Sequence, residues 1–239
     1  MRTNFNIKNI LFFTLCSIFT FGVTIVSAQK MTTYKDAYIY GQSQRNKSDA
    51  GSALSLGNGL TYAMSDVIKR SNPKSIDVML VYGKLNKEAI IALGLDANVN
   101  TEAGFRLFAP GLPTTADINW DKKSGNFPFR YFTASSKDPE GPAFLKNWSV
   151  RNATKLQKVS NIDFDNATVE TINALDVKSV YITEPLVEGD IVAFETATTS
   201  SSPSKKGLIK IGSIENDENS EKGSEPAFQK INLVVKIVK

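Results

Sequence analysis

Histidine is absent from the 239-residue chain, and cysteine occurs once, at Cys16. Without histidine there is no Ser-His-Asp or Cys-His catalysis, no imidazole metal ligand and no imidazole pH switch. Cys16 lies in an N-terminal apolar run; if that run is cut away, no thiolate nucleophile, disulfide or cysteine-ligated zinc or iron–sulfur cluster remains. The fold must then be held by its core alone. An excess of one charge is also lacking, with 28 basic and 24 acidic residues and a net charge of +4. The proportions, 41% apolar, 10% aromatic and 22% charged, exclude a collagen-like, coiled-coil or wholly disordered chain. The length suits one domain of ordinary size or two small ones.

Residues 1–28 read as a secretory signal that is cleaved. Arg2 and Lys8 supply the positive start, 10–26 is almost uncharged and apolar, and Val26-Ser27-Ala28 is a small-residue cleavage site before Gln29. The same stretch is just long enough for a tilted membrane anchor, but the cleavage site favours removal. Bulky Phe13 and Leu15 before Cys16 argue against a lipoprotein. Taking Arg2 and Lys8 from the 28 basic residues leaves 26 against 24 acidic ones, a net of about +2. Such a chain has no electrostatic case for nucleic acid. No second apolar run approaches membrane-spanning length. The expected location is periplasmic, secreted or at the cell surface.

Residues 29–51 are polar and predict a flexible lead-in, with one strand at 34–40. A single β-rich domain is expected over 52–239, with a subdivision near 141–145 left open. Residues 52–56 alternate as a strand, and Gly57-Asn58-Gly59 follows as a turn. Ser65 can cap a short helix over 66–70, ended by Asn72-Pro73. The run 76–82 is apolar almost without a break and predicts a central strand covered on both faces, with a neighbour at 88–93. Residues 96–141 carry four prolines and many aromatics, and predict an ordered, loop-rich region. A helical turn is expected near Trp148 and Arg151. Asp165 or Asn166 can cap a helix through Val169, Ile172 and Leu175. A short strand at 179–183 and three strong strands at 190–196, 207–214 and 231–238 complete the chain. The last three predict an antiparallel C-terminal meander over 186–239. The fold class is therefore α+β and β-rich, with antiparallel sheet and two or three short helices.

Three stretches are taken together: Ile76-Asp77-Val78-Met79-Leu80-Val81-Tyr82-Gly83, Trp148-Ser149-Val150-Arg151-Asn152-Ala153-Thr154-Lys155-Leu156, and Glu188-Gly189-Asp190-Ile191-Val192-Ala193-Phe194-Glu195-Thr196 with the two strands after it. In that order they resemble secreted and surface-associated domains of unknown function from Bacteroidetes-type bacteria. The resemblance covers about 52–239. It implies a bacterial exported protein with a β-rich fold, and it brings no catalytic residues.

One constellation stands out for binding: Trp120, Asp121, Phe127, Phe129, Arg130, Tyr131 and Trp148, with Arg151 nearby. Flat aromatic faces with a few polar groups suit sugar rings, and Trp, Tyr and Arg also dominate protein-binding hot spots. The same rings can equally be core for a loop that lacks regular hydrogen bonding. Hydrolysis without histidine or cysteine would rest on two carboxylates about 5–10 Å apart, one with a raised pKa. Asp77, Asp117, Asp121, Asp163, Asp165 and Glu195 are available, but no spacing singles out a pair. Asp163-Phe164-Asp165-Asn166 and Asp217-Glu218-Asn219 are oxygen-rich, yet neither has the spacing of a calcium loop. Gly57-Asn58-Gly59 lacks a following Lys-Ser/Thr pair, so nucleotide binding is unsupported. No metal or cofactor is expected. The leading reading is a non-enzymatic binding module for a glycan or for a surface or periplasmic protein. The alternatives are a carboxylate-dependent glycoside hydrolase and an assembly subunit that offers its C-terminal strand, 231–239, to another chain.

Overall fold

The computed structural model describes residues 29–40, 51–63, 75–83, 102–111, 151–178, 181–198, 203–216 and 229–239. Among them are nine strands and one helix: β1 (Met31–Tyr40), β2 (Gly51–Leu54), β3 (Thr61–Ala63), β4 (Val78–Gly83), β5 (Gly104–Phe108), β6 (Lys155–Val159), α1 (Val169–Asn173), β7 (Ile191–Glu195), β8 (Lys206–Glu215) and β9 (Lys230–Val238). They form a five-stranded sheet ordered β1-β9-β8-β7-β6 and a four-stranded sheet ordered β3-β2-β4-β5. Every strand pair is antiparallel.

Alternation explains the larger sheet. On β9, Ile231, Leu233, Val235 and Ile237 share one face and are fully buried. Val192 and Phe194 of β7 and Ile209 and Ile211 of β8 join them. Leu54, Val78, Leu80, Phe105 and Leu107 of the smaller sheet belong to the same core. The two sheets thus face each other across one apolar layer, each fully buried aliphatic or phenyl group contributing about 1.5–3 kcal/mol. On β4, Val78, Met79 and Leu80 are buried in succession, and the strand lies between β2 and β5. That agrees with the unbroken apolar run in the sequence.

The outer face of the five-stranded sheet carries a second apolar cluster. Phe164, Ala167, Ile172 and Val177 pack there against Ala193, Leu208 and Val238. At five residues α1 is too short to be stable alone. Ile172 anchors it, and Thr168 caps it by accepting the Thr171 N–H at 3.2 Å.

Several expectations need correction. The strand expected at 34–40 begins at Met31 and pairs with β9 along its length, with a bulge between Tyr34 and Ala37. It is part of the sheet and not a lead-in to a fold starting at Ser52. The 96–141 region contains a regular strand, β5, which the sequence hides because Phe105, Arg106, Leu107 and Phe108 are all buried and do not alternate. Lys155–Val159 is a strand that follows directly on residues expected to form a helical turn. The helix cap is Thr168, not Asp165 or Asn166, and Leu175 lies beyond the helix. The C-terminal strand is interior, with β1 on one side and β8 on the other, so it is not an open edge. The expected helix at 66–70 and strand at 88–93 lie outside the described residues, as does Trp148.

Two glycines give a test of how rigid the larger sheet is. A Cβ on Gly207 would press into the Lys236 carbonyl and the Phe194 ring, whereas Gly189 has φ of +89° and open space around it. Gly207→Ala is expected to lose about 3 kcal/mol through overpacking, and Gly189→Ala about 1 kcal/mol through backbone strain alone. Denaturant midpoints of the two variants check the order; equal midpoints would mean that the β8–β9 approach yields easily.

Candidate functional site

The aromatic and polar residues singled out by sequence, Trp120, Asp121, Phe127, Phe129, Arg130, Tyr131 and Trp148, lie outside the described residues. Arg151 lies at their border and is partly buried. Gly111 and Arg151, the described residues on either side of that sequence, lie close together. The Gly111 N–H donates to the Asn152 carbonyl at 2.9 Å. A Cβ on Gly111 would come within 2.6 Å of the Ala153 Cα, so only glycine lets the two backbones meet this closely. Both ends of the aromatic-rich stretch are therefore tied together at one neck.

Asn152 locks that neck to the smaller sheet. Its Nδ2 donates to the Ile76 carbonyl at 2.9 Å and to Asp77 Oδ1 at 3.1 Å. Asp77 Oδ2 accepts the Leu56 N–H at 2.8 Å. Asn152 and Asp77 are 4% and 8% exposed, so the three chain segments meet in a nearly dry setting. Burial pushes the Asp77 pKa up to about 6; hydrogen bonds from Leu56, Asn152 and Gly57 and the charge of Lys205 oppose the rise. Desolvation is the largest cause of the rise, and no described carboxylate contributes to it.

The other described acids on the sequence shortlist are committed to structure. Glu195 pairs with Lys155 across β6 and β7 at 3.3 Å. Asp163 closes a turn: Oδ1 accepts the N–H groups of Asp165 and Asn166, and Oδ2 accepts Asn166 Nδ2 at 2.8 Å. These bonds hold its carboxyl below the usual carboxylate range. The carbonyls of Phe164 and Asp165, which a calcium ion would use, instead accept Lys236 Nζ at 2.7 and 2.8 Å. Lys210 Nζ takes Asp165 Oδ2 at 3.3 Å. Two ammonium groups stand where the oxygen-rich sequence suggested a cation. The loop at 217–219, Asp117 and Asp121 are outside the described residues.

Two further buried polar groups escaped the sequence reading. Arg106 of β5 is fully buried and donates from Nη1 to the Thr183 carbonyl and from Nη2 to the Glu102 carbonyl, both at 2.9 Å. Burial lowers its pKa to about 10, with Glu184 opposing. It fastens β5 to residues 181–187, which run along that strand's edge through Ala109 N–Tyr181 O, Thr183 N–Leu107 O and Leu186 N–Phe105 O bonds. Lys236 was equally hidden, because a lysine on the second face of an alternating strand reads as solvated. Asn152 gave a weak signal only, as part of a quoted motif.

The fold is a two-layer antiparallel β-domain in which Asp77 and Asn152, Arg106 and Lys236 each fasten a separate irregular segment. No protein-family model matches the chain, and no curated protein matches it. It is similar to a solved structure, a DUF4466 family protein from Parabacteroides merdae, at 16% identity and a TM-score of 0.48 over 88% of this chain and 54% of that one. The chain thus spans about half the length of that protein. The neighbour is a domain of unknown function from a Bacteroidetes bacterium, the kind of protein that the strand motifs resemble. At this similarity the likeness carries no argument about activity.

Asp77 makes a defined pH prediction. In the unfolded chain its carboxyl ionises near 3.8 and in the fold at about 6, so the fold holds the extra proton between those values. Its stabilising share is complete below pH 3.8 and is lost as pH rises through 6, an order of about 3 kcal/mol. Denaturant titrations of the wild type and Asp77→Asn from pH 3.5 to 7.5 are expected to show the wild type losing that amount relative to the variant; parallel curves would refute it. Lys236→Met is expected to cost about 2 kcal/mol by orphaning the buried Phe164 carbonyl and the part-buried Asp165 carbonyl, read as a lower midpoint at constant m-value.

Proposed function

We propose that this chain is an exported, periplasmic or surface-exposed, non-enzymatic binding module whose recognition residues are carried on the sequence between Gly111 and Asn152. The observation that carries this reading is the neck itself. A bond from Gly111 to Asn152, and from Asn152 to Asp77 and Ile76, joins both ends of the aromatic-rich stretch to a packed two-sheet scaffold. Rigid scaffolds that hold a variable segment by its ends are a common way to present a binding surface. The ligand contacts assigned on this reading are Trp120, Asp121, Phe129, Arg130, Tyr131, Trp148 and Arg151, which suit a glycan or a surface protein. Binding is favoured over hydrolysis because Asp77, Asp163, Asp165 and Glu195 are each held by hydrogen bonds or lysines.

Intrinsic fluorescence of the protein from Gln29 onward tests the reading, since Trp120 and Trp148 are its two tryptophans. A saturable shift with one member of a polysaccharide panel, with protection from iodide quenching, is expected. Trp120→Ala or Trp148→Ala should then weaken binding at least about tenfold, a loss of roughly 1.4 kcal/mol. Blue emission that iodide cannot reach, with no response to any glycan, would make both rings core and overturn the glycan assignment.

A further inference from the structure

The turn between β2 and β3 carries the one Asn-Gly pair in the sequence, Asn58-Gly59. The Ser55 N–H donates to the Leu60 carbonyl at 2.9 Å, and inside that closure the Gly59 N–H donates to the Ser55 carbonyl at 2.9 Å. Asn58 is exposed, and its Oδ1 accepts the Leu60 N–H at 3.0 Å. Glycine is required at position 59 for two reasons. Its φ is +72°, and a Cβ there would overlap the Tyr34 ring. Tyr34 comes from β1 in the other sheet, and its hydroxyl donates to the Gly57 carbonyl at 2.8 Å. A ring and a hydrogen bond thus fasten the turn of the smaller sheet to β1 of the larger one.

The glycine that the turn requires also makes the asparagine before it reactive. A residue without a side chain shields its own backbone nitrogen least, so an Asn side chain cyclises most readily onto a following glycine. We propose that Asn58 is a site of spontaneous conversion to isoaspartate, and that the turn fastened by Tyr34 guards it. The Gly59 nitrogen attacks Asn58 Cγ. The new N–Cγ bond closes a cyclic imide, the Cγ–Nδ2 bond breaks, and Nδ2 leaves as ammonia with the Gly59 amide proton. Water then opens the ring. Attack at Cγ gives aspartate; attack at the Asn58 backbone carbonyl carbon gives isoaspartate, with the chain running through Cβ and Cγ. In the closed turn the Gly59 proton is held by the Ser55 carbonyl and Asn58 Oδ1 by the Leu60 N–H, so the turn must open before the imide forms. Isoaspartate adds a backbone carbon and a carboxylate to a turn whose Gly59 already lies against Tyr34. The original closure cannot re-form, and the joint between the two sheets loosens.

The test follows the protein from Gln29 onward, held folded or in urea at mildly alkaline pH, by peptide mass spectrometry with fragmentation that separates isoaspartate from aspartate. Isoaspartate is expected at position 58 in both states, accumulating at least about tenfold more slowly in the fold. Tyr34→Phe keeps the ring and removes the hydroxyl's bonds to Gly57 and Lys239. It should speed the folded reaction about fivefold, the weight of one net hydrogen bond, and leave the rate in urea unchanged. The aged protein should have a lower thermal midpoint, whereas Asn58→Asp, which adds the acid without lengthening the chain, should keep that of the wild type. Four results would overturn the proposal: no isoaspartate at position 58 in either state, equal rates in fold and urea, a folded Tyr34→Phe that reacts like the wild type, or an aged protein as stable as Asn58→Asp. If Tyr34→Phe does not fold, the comparison of fold with urea in the wild type decides alone.

Discussion

Strand β9 is the constraint on which the rest depends. Its inner side chains, Ile231, Leu233, Val235 and Ile237, are fully buried in the shared layer, and its outer Val234 and Val238 pack in the second cluster. Both edges are hydrogen-bonded, to β1 from the start of the fold and to β8 beside it. From its outer face Lys236 reaches the carbonyls of Phe164 and Asp165 and holds the loop before α1. With a single cysteine and hence no internal disulfide to staple it, the fold relies on such a doubly covered strand to hold β1 and β8 together. A group with two buried faces and two paired edges has no low-cost direction in which to move.

The polar groups follow from where that apolar layer stops. At one end the chain must change direction, and its backbone donors and acceptors still need partners. Asp77 and Asn152 supply them, taking the Leu56 N–H and the Ile76 carbonyl. Arg106 does the same for carbonyls at Thr183 and Glu102, and Lys236 at Phe164 and Asp165. These charged side chains serve as hydrogen-bonding groups for irregular backbone. That explains why acids which look available for catalysis in the sequence prove to be engaged.

Much of the fold was legible. Period-two alternation in 190–196, 207–214 and 231–238 marked β7, β8 and β9, and the unbroken run at 76–82 marked a strand covered on both sides. The glycine-rich turn after Leu56 and the turn at Glu188-Gly189 were readable because glycine tolerates positive φ, as at Gly59 and Gly189. β5 was not legible, since burial on both faces removes the alternation that betrays a strand. The Thr168 cap lost out to Asp165 and Asn166, which are equally good capping types. Of the site, the aromatic candidates were chosen by residue type, while the junction of Asp77 with Asn152, separated by 75 positions, left no local trace.

By itself, then, the sequence determined which chemistries are unavailable, through its lack of histidine and its single cysteine, and it determined most of the strands, because side-chain periodicity is a local property of the chain. Tertiary structure alone decided that the last strand is interior, that Lys236 occupies the loop a cation would fill, and that Asp77 and Asn152 are buried against each other. Those outcomes depend on pairing and burial between segments far apart in the chain, and no local pattern encodes the dielectric or the partner that a polar group will meet once the sheets have closed.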